Sequence, residues 1–144
     1  MPEPLHADSV RHVFVYGTLR RGGANDITRL VPPPVPIGTA AVPGVLYDLG
    51  AYPGIALTGP DAQGDGRVPV LGEVYAITPA LERRLDEIEE IWPEPSGEYV
   101  KREVSLELKE TGARLSCLVY EIAPAFLRGA PRLLHGDWMA HRPG

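Results

Sequence analysis

Residues 70–90 read V-L-G-E-V-Y-A-I-T-P-A-L-E-R-R-L-D-E-I-E-E, and the hydrophobic period changes within them. The first eight predict a strand, interrupted at Gly72 by a bulge or a close approach of another backbone. Thr78 then offers an N-cap hydroxyl, and Pro79 occupies the first helical position, where a missing N–H costs nothing. Leu81, Leu85 and Ile88 follow at helical spacing, with Trp92 able to extend the stripe, until Pro93 and Pro95 end the run. One strand feeding one amphipathic helix is the anchor for the remaining segments.

Upstream, 12–16 predicts a strand whose V-F-V run implies burial on both faces, and 24–30 a short helix. The segments 37–41, 45–49 and 55–57 predict short strands separated by Pro43-Gly44 and Pro53-Gly54 turns, with 61–67 (D-A-Q-G-D-G-R) a polar loop. Downstream, 99–108 and 115–122 predict strands joined by a hairpin connection at 110–114, and 125–134 a short helix or turns. Strands outnumber helices and their connections are short. An α+β domain follows, a small mixed, mainly antiparallel β-barrel or sheet beside one well-defined helix.

A chain of 144 residues suits a single domain over 1–144, with loose ends at 1–10 and 139–144. Its sixteen glycines and sixteen prolines punctuate apolar runs as turns do, which argues against disorder. The net charge of −5 argues against nucleic acid, because duplex binding needs a basic patch, and the pairs Arg20-Arg21 and Arg83-Arg84 fit a solvated surface better. Cys117 is the sole cysteine, so no internal disulfide forms, and its place in L-S-C-L-V-Y predicts a buried, inert thiol. No apolar run approaches the ~18 residues of a membrane span, and the first dozen residues carry no signal-peptide core. A cytoplasmic protein without a membrane partner, a monomer or small homo-oligomer, is the expectation.

Within the helix the acids are not equivalent. At about 100° per residue Glu90 lies nearly opposite the apolar stripe, and Asp86 and Glu87 well away from it, so all three are expected in solvent. Glu89 is about 70° from the stripe's centre, on the shoulder of the buried face. Glu82 shares that shoulder, but in the first turn the helix dipole accounts for a carboxylate. Glu89 instead sits near the C-terminus and partly against the core, where both effects raise a carboxyl pKa, as a general base near neutrality requires. A structural alternative is that Glu89 pairs with Arg84, Arg102 or another base at the barrel rim.

The second constellation is V-F-V-Y-G-T-L-R-R-G-G at 13–23. A glycine after a strand lets the backbone turn without a Cβ clash, and successive N–H groups there can converge on an anion. Thr18 adds a hydroxyl. Neither a P-loop nor a dinucleotide fingerprint is present, so a carboxylate or small polar group fits better than a nucleotide, and a plain strand-end turn fits equally. His6, His12, His135 and His141 lack metal-ligand spacing, Asp61 and Asp65 lack an EF-hand's ligand count, and no G-x-S-x-G elbow occurs. No metal site is indicated by these spacings.

In order along the chain, V-Y-G-T-L (15–19), V-P-G-V-L-Y-D-L-G-A-Y-P-G-I (42–55), G-E-V-Y-A-I (72–77), L-D-E-I-E (85–89) and the Tyr99-x-x-Arg102 spacing resemble the gamma-glutamylcyclotransferase-like family, which includes the plant AIG2-like proteins. The resemblance covers about 13–138. It implies a small mixed β-barrel with flanking helices and a small-molecule γ-glutamyl substrate. It also implies that Tyr16, Gly17, Thr18 and Leu19 form the wall that receives the glutamyl part, with Tyr99 a cavity-lining hydroxyl and Arg102 structural. The last residue of L-D-x-x-E, the family's catalytic acid, is Glu89 here, the residue that the helix wheel singles out independently.

Family chemistry implies that the substrate's own α-amine attacks its γ-carbonyl and releases 5-oxoproline, with Glu89 moving protons and no cofactor. One departure stands out: many relatives have glycine directly after the catalytic glutamate, whereas this chain has Glu90, which prolongs the helix and brings a second acid near. The other reading from the same residues is a non-catalytic barrel that binds a small anionic metabolite or a protein partner through the Y-G-T-L cradle.

Overall fold

The computed structural model describes residues 11–23, 25–50, 52–57, 68–89, 96–127, 129–133 and 136–141. Six strands form one sheet: β1 (Arg11–Val15), β2 (Val35–Asp48), β3 (Pro53–Leu57), β4 (Val68–Ile77), β5 (Tyr99–Glu107) and β6 (Arg114–Ile122). Their order is β1-β4-β2-β3-β6-β5, and β1 also pairs with β6, so five strands close into a barrel and β5 extends it beyond β6. The β1–β6 and β3–β6 pairings are parallel and the rest antiparallel. This is the mixed, mainly antiparallel barrel that the sequence predicts. The helix α1 (Pro79–Ile88) lies beside it, and a single turn, α2 (Trp138–His141), follows. Among the described residues no helix is long and apolar enough to cross a membrane.

Strand periodicity sorts the core into two layers. Phe14, Ala40, Val42, Leu46, Ile55, Val70, Val74, Cys117 and Val119 belong to one buried cluster with Trp138. The alternate residues Val13, Val15, Tyr75, Ile77, Leu118 and Tyr120 form the second, which Leu81 and Leu85 of α1 complete. The V-F-V run is therefore buried on both faces, Val13, Phe14 and Val15 being at most 2 % exposed. Burying Leu81 and Leu85 contributes about 1.5–3 kcal/mol each and fixes α1 against β1, β4 and β6. The Thr78 hydroxyl accepts the Leu81 N–H at 3.2 Å, as an N-cap should.

Several local expectations are corrected. Pro43-Gly44 is not a turn but the middle of the fourteen-residue β2. Pro43 stands opposite Pro69, so neither strand is asked for a donor at that rung, and β3 joins β2 only from Gly44 onward. Gly44 keeps the inward register of Ala40, Val42 and Leu46 in a place where a Cβ would meet the Ala56 carbonyl oxygen at 2.9 Å. Gly72 marks a close approach: a Cβ there would fall 2.4 Å from the Val15 carbonyl oxygen.

The helix expected over 24–30 is, in its described part, one 3₁₀ turn (Ile27–Arg29) capped by Asp26. The tail expected to be loose from 139 on is helical through His141. Cys117 is 1 % exposed, and burial pushes its thiol up to about 11. The 61–67 loop, His6, His135, Glu90 and Trp92 lie outside the described residues.

Candidate active site

Glu89 is the C-cap of α1, its N–H donating to the Leu85 carbonyl at 2.9 Å, and it is half-buried. The loop that leaves β1 comes to the same place. Phe14, Val15, Tyr16, Gly17, Thr18, Leu19, Glu89 and Tyr120 line one cleft of about 310 Å³, its open mouth included. The two constellations singled out in the sequence, separated by some seventy positions, thus meet across a single cavity.

Local packing explains the loop's shape. Gly17 has no positive φ; its lack of a Cβ serves proximity, because a Cβ would lie 2.5 Å from Cγ of Pro53. Beyond it the chain coils on itself. The N–H groups of Arg20, Arg21, Gly22 and Gly23 donate to the Gly17 carbonyl, the Glu73 carboxylate, the Asp26 carboxylate and the Arg20 carbonyl at 2.8–3.0 Å. None of the hydrogen bonds between described residues uses the N–H of Gly17, Thr18 or Leu19. Three consecutive residues beside the cleft thus have N–H groups not used by bonds between described residues, an arrangement whose chemistry is that of a donor to an anion or a small polar group.

Glu73 fastens this loop to β4. Besides the Arg21 N–H it accepts the Arg20 Nε at 3.2 Å and the Tyr75 hydroxyl at 2.7 Å, while Arg20 Nη1 reaches Asp137 at 2.8 Å. Arg20 is therefore a half-buried tether rather than a solvated surface charge. Asp26 contributes from the other end, accepting from the Gly22 N–H, the Thr28 N–H and the Thr28 hydroxyl. Burial alone would raise its carboxyl pKa, but those bonds outweigh it and hold the group below the ordinary aspartate range.

The tyrosines divide by layer. Tyr16 donates to the Tyr120 carbonyl at 2.7 Å and accepts the Ile55 N–H at 3.2 Å, so its hydroxyl ties β1's end to β6 and β3. Tyr99 donates to the Pro53 carbonyl at 2.7 Å, which puts its hydroxyl behind the residue that crowds Gly17; it does not line the cleft bounded by the described residues. Burial raises both phenol pKa values, and the nearby Glu89 carboxylate raises them further.

Tyr120 lines the cleft from outside both segments that the sequence singled out, and Phe14 and Val15, expected only as strand core, line it too. The Tyr120 hydroxyl donates to Asp86 Oδ1 at 2.7 Å, and Lys101 Nζ holds Asp86 at 2.9 Å and Glu82 at 2.6 Å. Burial, then Asp86, then Glu89 push the Tyr120 phenol above its ordinary range. Asp86 is thus no solvent-facing acid, contrary to the wheel: a lysine from β5 and a tyrosine from β6 close over the helix flank. Two bases named as structural partners for Glu89 are engaged elsewhere, Arg84 with Glu87 at 2.8 Å and Arg102 with Glu121 at 2.9 Å. Among the described residues no group of three His, Cys, Asp or Glu side chains is placed to hold a metal ion.

The family model described as gamma-glutamyl cyclotransferase, AIG2-like, matches residues 13–140. A curated Arabidopsis thaliana protein, named as a candidate gamma-glutamylcyclotransferase, is 34 % identical over 109 residues, 68 % of this chain. The aligned part is 52 % of that relative, so the chain spans about half its length. Among solved structures, an AIG2-like protein from Mus musculus superposes with a TM-score of 0.65 at 23 % identity, covering 87 % of this chain and 86 % of that one. YkqA from Bacillus subtilis superposes with a TM-score of 0.66 at 25 % identity, covering 92 % of this chain and 40 % of the other. The mouse likeness is one of fold; the family model carries the membership.

Proposed function

The chain belongs to the gamma-glutamyl cyclotransferase, AIG2-like family, and from that premise we propose that it releases 5-oxoproline from a γ-glutamyl amine or γ-glutamyl amino acid. The observation that carries this reading is the shared cleft: one half-buried carboxylate, Glu89, faces a loop whose Gly17, Thr18 and Leu19 N–H groups have no acceptor among the described residues. A γ-glutamyl group has the matching chemistry, with an α-carboxylate for the N–H edge and an α-ammonium for the acid.

On this reading the nucleophile belongs to the substrate, so the site has no need of an activated serine or cysteine. Glu89 takes a proton from the α-ammonium, and the freed amine attacks the γ-carbonyl carbon. The new C–N bond closes a five-membered ring. The lactam nitrogen keeps one of the three ammonium protons, and the other two end on the leaving amine, delivered through Glu89 as the old C–N bond breaks. Holding the glutamyl chain folded exploits the large effective molarity of intramolecular reactions, about 7–11 kcal/mol of barrier at best. Proton transfer by a positioned carboxylate adds about 10²–10⁴-fold.

The test is 5-oxoproline release, followed by mass spectrometry over a panel of γ-glutamyl amines and γ-glutamyl amino acids, with Glu89→Gln as control. Release by the wild type and not by the variant is the expected result, and the panel identifies the leaving group. A wild type that binds γ-glutamyl compounds yet releases nothing above the variant supports the binding-barrel reading instead.

A further inference from the structure

Asp86 belongs to the helix that carries Glu89, and its partner Tyr120, from β6, reaches the cleft from outside both segments singled out in the sequence. Tyr120 lines it beside Glu89 and is 3 % exposed. Asp86 stands three residues before Glu89 on α1, so the two acids occupy neighbouring positions on one side of the helix's last turn. The Tyr120 hydroxyl gives its only proton to Asp86 at 2.7 Å. Asp86 in turn is held by Lys101, whose Nζ lies 3.1 Å and 2.9 Å from its two oxygens and 2.6 Å from Glu82.

A phenol oxygen has one proton to donate and lone pairs with which to accept. With the proton committed to Asp86, the oxygen turns only acceptor character toward a ligand. The lysine holds the Asp86 carboxylate in place, so the hydroxyl rotor is locked rather than free to turn. Beside Glu89, a locked acceptor suits a group with several N–H donors and a positive charge, and the α-ammonium of the glutamyl group is such a group.

We propose that Tyr120 is a substrate-binding residue that accepts an N–H of the substrate's α-amine, and that Asp86, braced by Lys101, is the positioning residue that commits the phenol to this role. The inference rests on the cyclotransferase reading. Glu89 can take one ammonium proton only if the amine is then held with its lone pair toward the γ-carbonyl. Tyr120 holds a second N–H and so aims that lone pair, without itself gaining or losing a proton. Replacing Asp86 by a residue that cannot accept would free the hydroxyl to point its proton at the ammonium, converting an attractive contact into a repulsive one.

The experiment compares two probes by calorimetry on Glu89→Gln protein, where turnover does not interfere: γ-glutamylmethylamide and its counterpart without the α-amine, glutaric acid monomethylamide. Tyr120→Phe is expected to weaken the first probe about ten-fold and leave the second unchanged. Asp86→Ala should do the same, Asp86→Asn should restore much of the loss because its carbonyl still accepts the phenol proton, and Tyr120→Phe with Asp86→Ala should cost no more than the worse single change. Tyr120→Phe keeps the packed ring, so the proposal stays testable should Asp86→Ala fold poorly.

Equal weakening of both probes, or of neither, overturns the proposal and assigns Tyr120 and Asp86 to packing alone. Wild-type release of 5-oxoproline separates the two readings. Release without amine discrimination leaves the function standing and this inference overturned, and discrimination without release does the reverse. Binding of neither probe overturns both.

Discussion

Gly17 lies so near Pro53 that a Cβ placed on it would fall 2.5 Å from the proline Cγ and 2.8 Å from Cδ, a contact that a rigid ring cannot relieve by rotation. Tyr99 holds the same proline from behind, donating to its carbonyl at 2.7 Å. The start of β3 therefore fixes the height at which the loop after β1 crosses the cleft.

Gly17→Ala is accordingly expected to destabilise the protein by about 1–3 kcal/mol, the range for overpacking a tight contact. Urea unfolding with an unchanged m-value would report it. The same substitution should raise KM for a γ-glutamyl substrate, because the N–H edge moves with the loop. A variant as stable as the wild type would mean that β3 yields more easily than a strand wedged between β2 and β6 should.

Leu85→Ala removes a fully buried side chain that packs α1 onto β1, β4 and β6. A loss of about 2–5 kcal/mol is expected, the usual cost of such a cavity. Since Glu89 caps the same helix, activity should also fall in protein that remains folded. Thermal melts and activity measured at one temperature, well below the lowered midpoint, distinguish the two effects.

Asp26 predicts an acid-side dependence. Its carboxyl is held below the ordinary value of 3.8 by hydrogen bonds that offset its burial. A group with a depressed folded pKa stabilises in full above its unfolded value, and that contribution disappears as the pH falls through the folded one. Wild type should exceed Asp26→Ala by about 1 kcal/mol at pH 7. The gap should close below the ordinary aspartate value of 3.8. Urea midpoints of both proteins between neutrality and acid check the sign.

Cys117 should be silent toward thiol reagents in the folded protein at neutral pH, because it is 1 % exposed and burial lifts its pKa to about 11. Labelling should follow unfolding and reach one equivalent in urea. Prompt labelling of native protein would show that the barrel opens around β6.

Much of this architecture was legible along the chain because the relevant signals are local. Thr78-Pro79 marks the start of α1 by capping chemistry, and V-F-V at 13–15 declares a strand buried on both faces. The half-buried place of Glu89 was legible too, since an acid on the shoulder of an apolar stripe at a helix's end is a statement about angles along one helix. Pro43-Gly44 misled because a proline and glycine ordinarily punctuate. Only the strand opposite, with Pro69 facing Pro43 and Ile55 crowding Gly44, makes them compatible with a continuous β2.

Asp86 and Arg20 misled for the same reason in reverse. Both look solvated on their own segment, and both are engaged by residues remote in sequence: Lys101 and Tyr120 for one, Glu73 and Asp137 for the other. By itself, then, the sequence determined the elements, their hydrophobic faces and the two segments worth watching, because periodicity, capping and turn chemistry act within a few residues. Closing the barrel determined that β1's loop and α1's C-cap share a cleft, that Tyr120 joins them, and that a lysine braces the acid beside it. Those facts depend on which strands become neighbours, and a pairing between β1 and β6 leaves no mark in either strand's own residues.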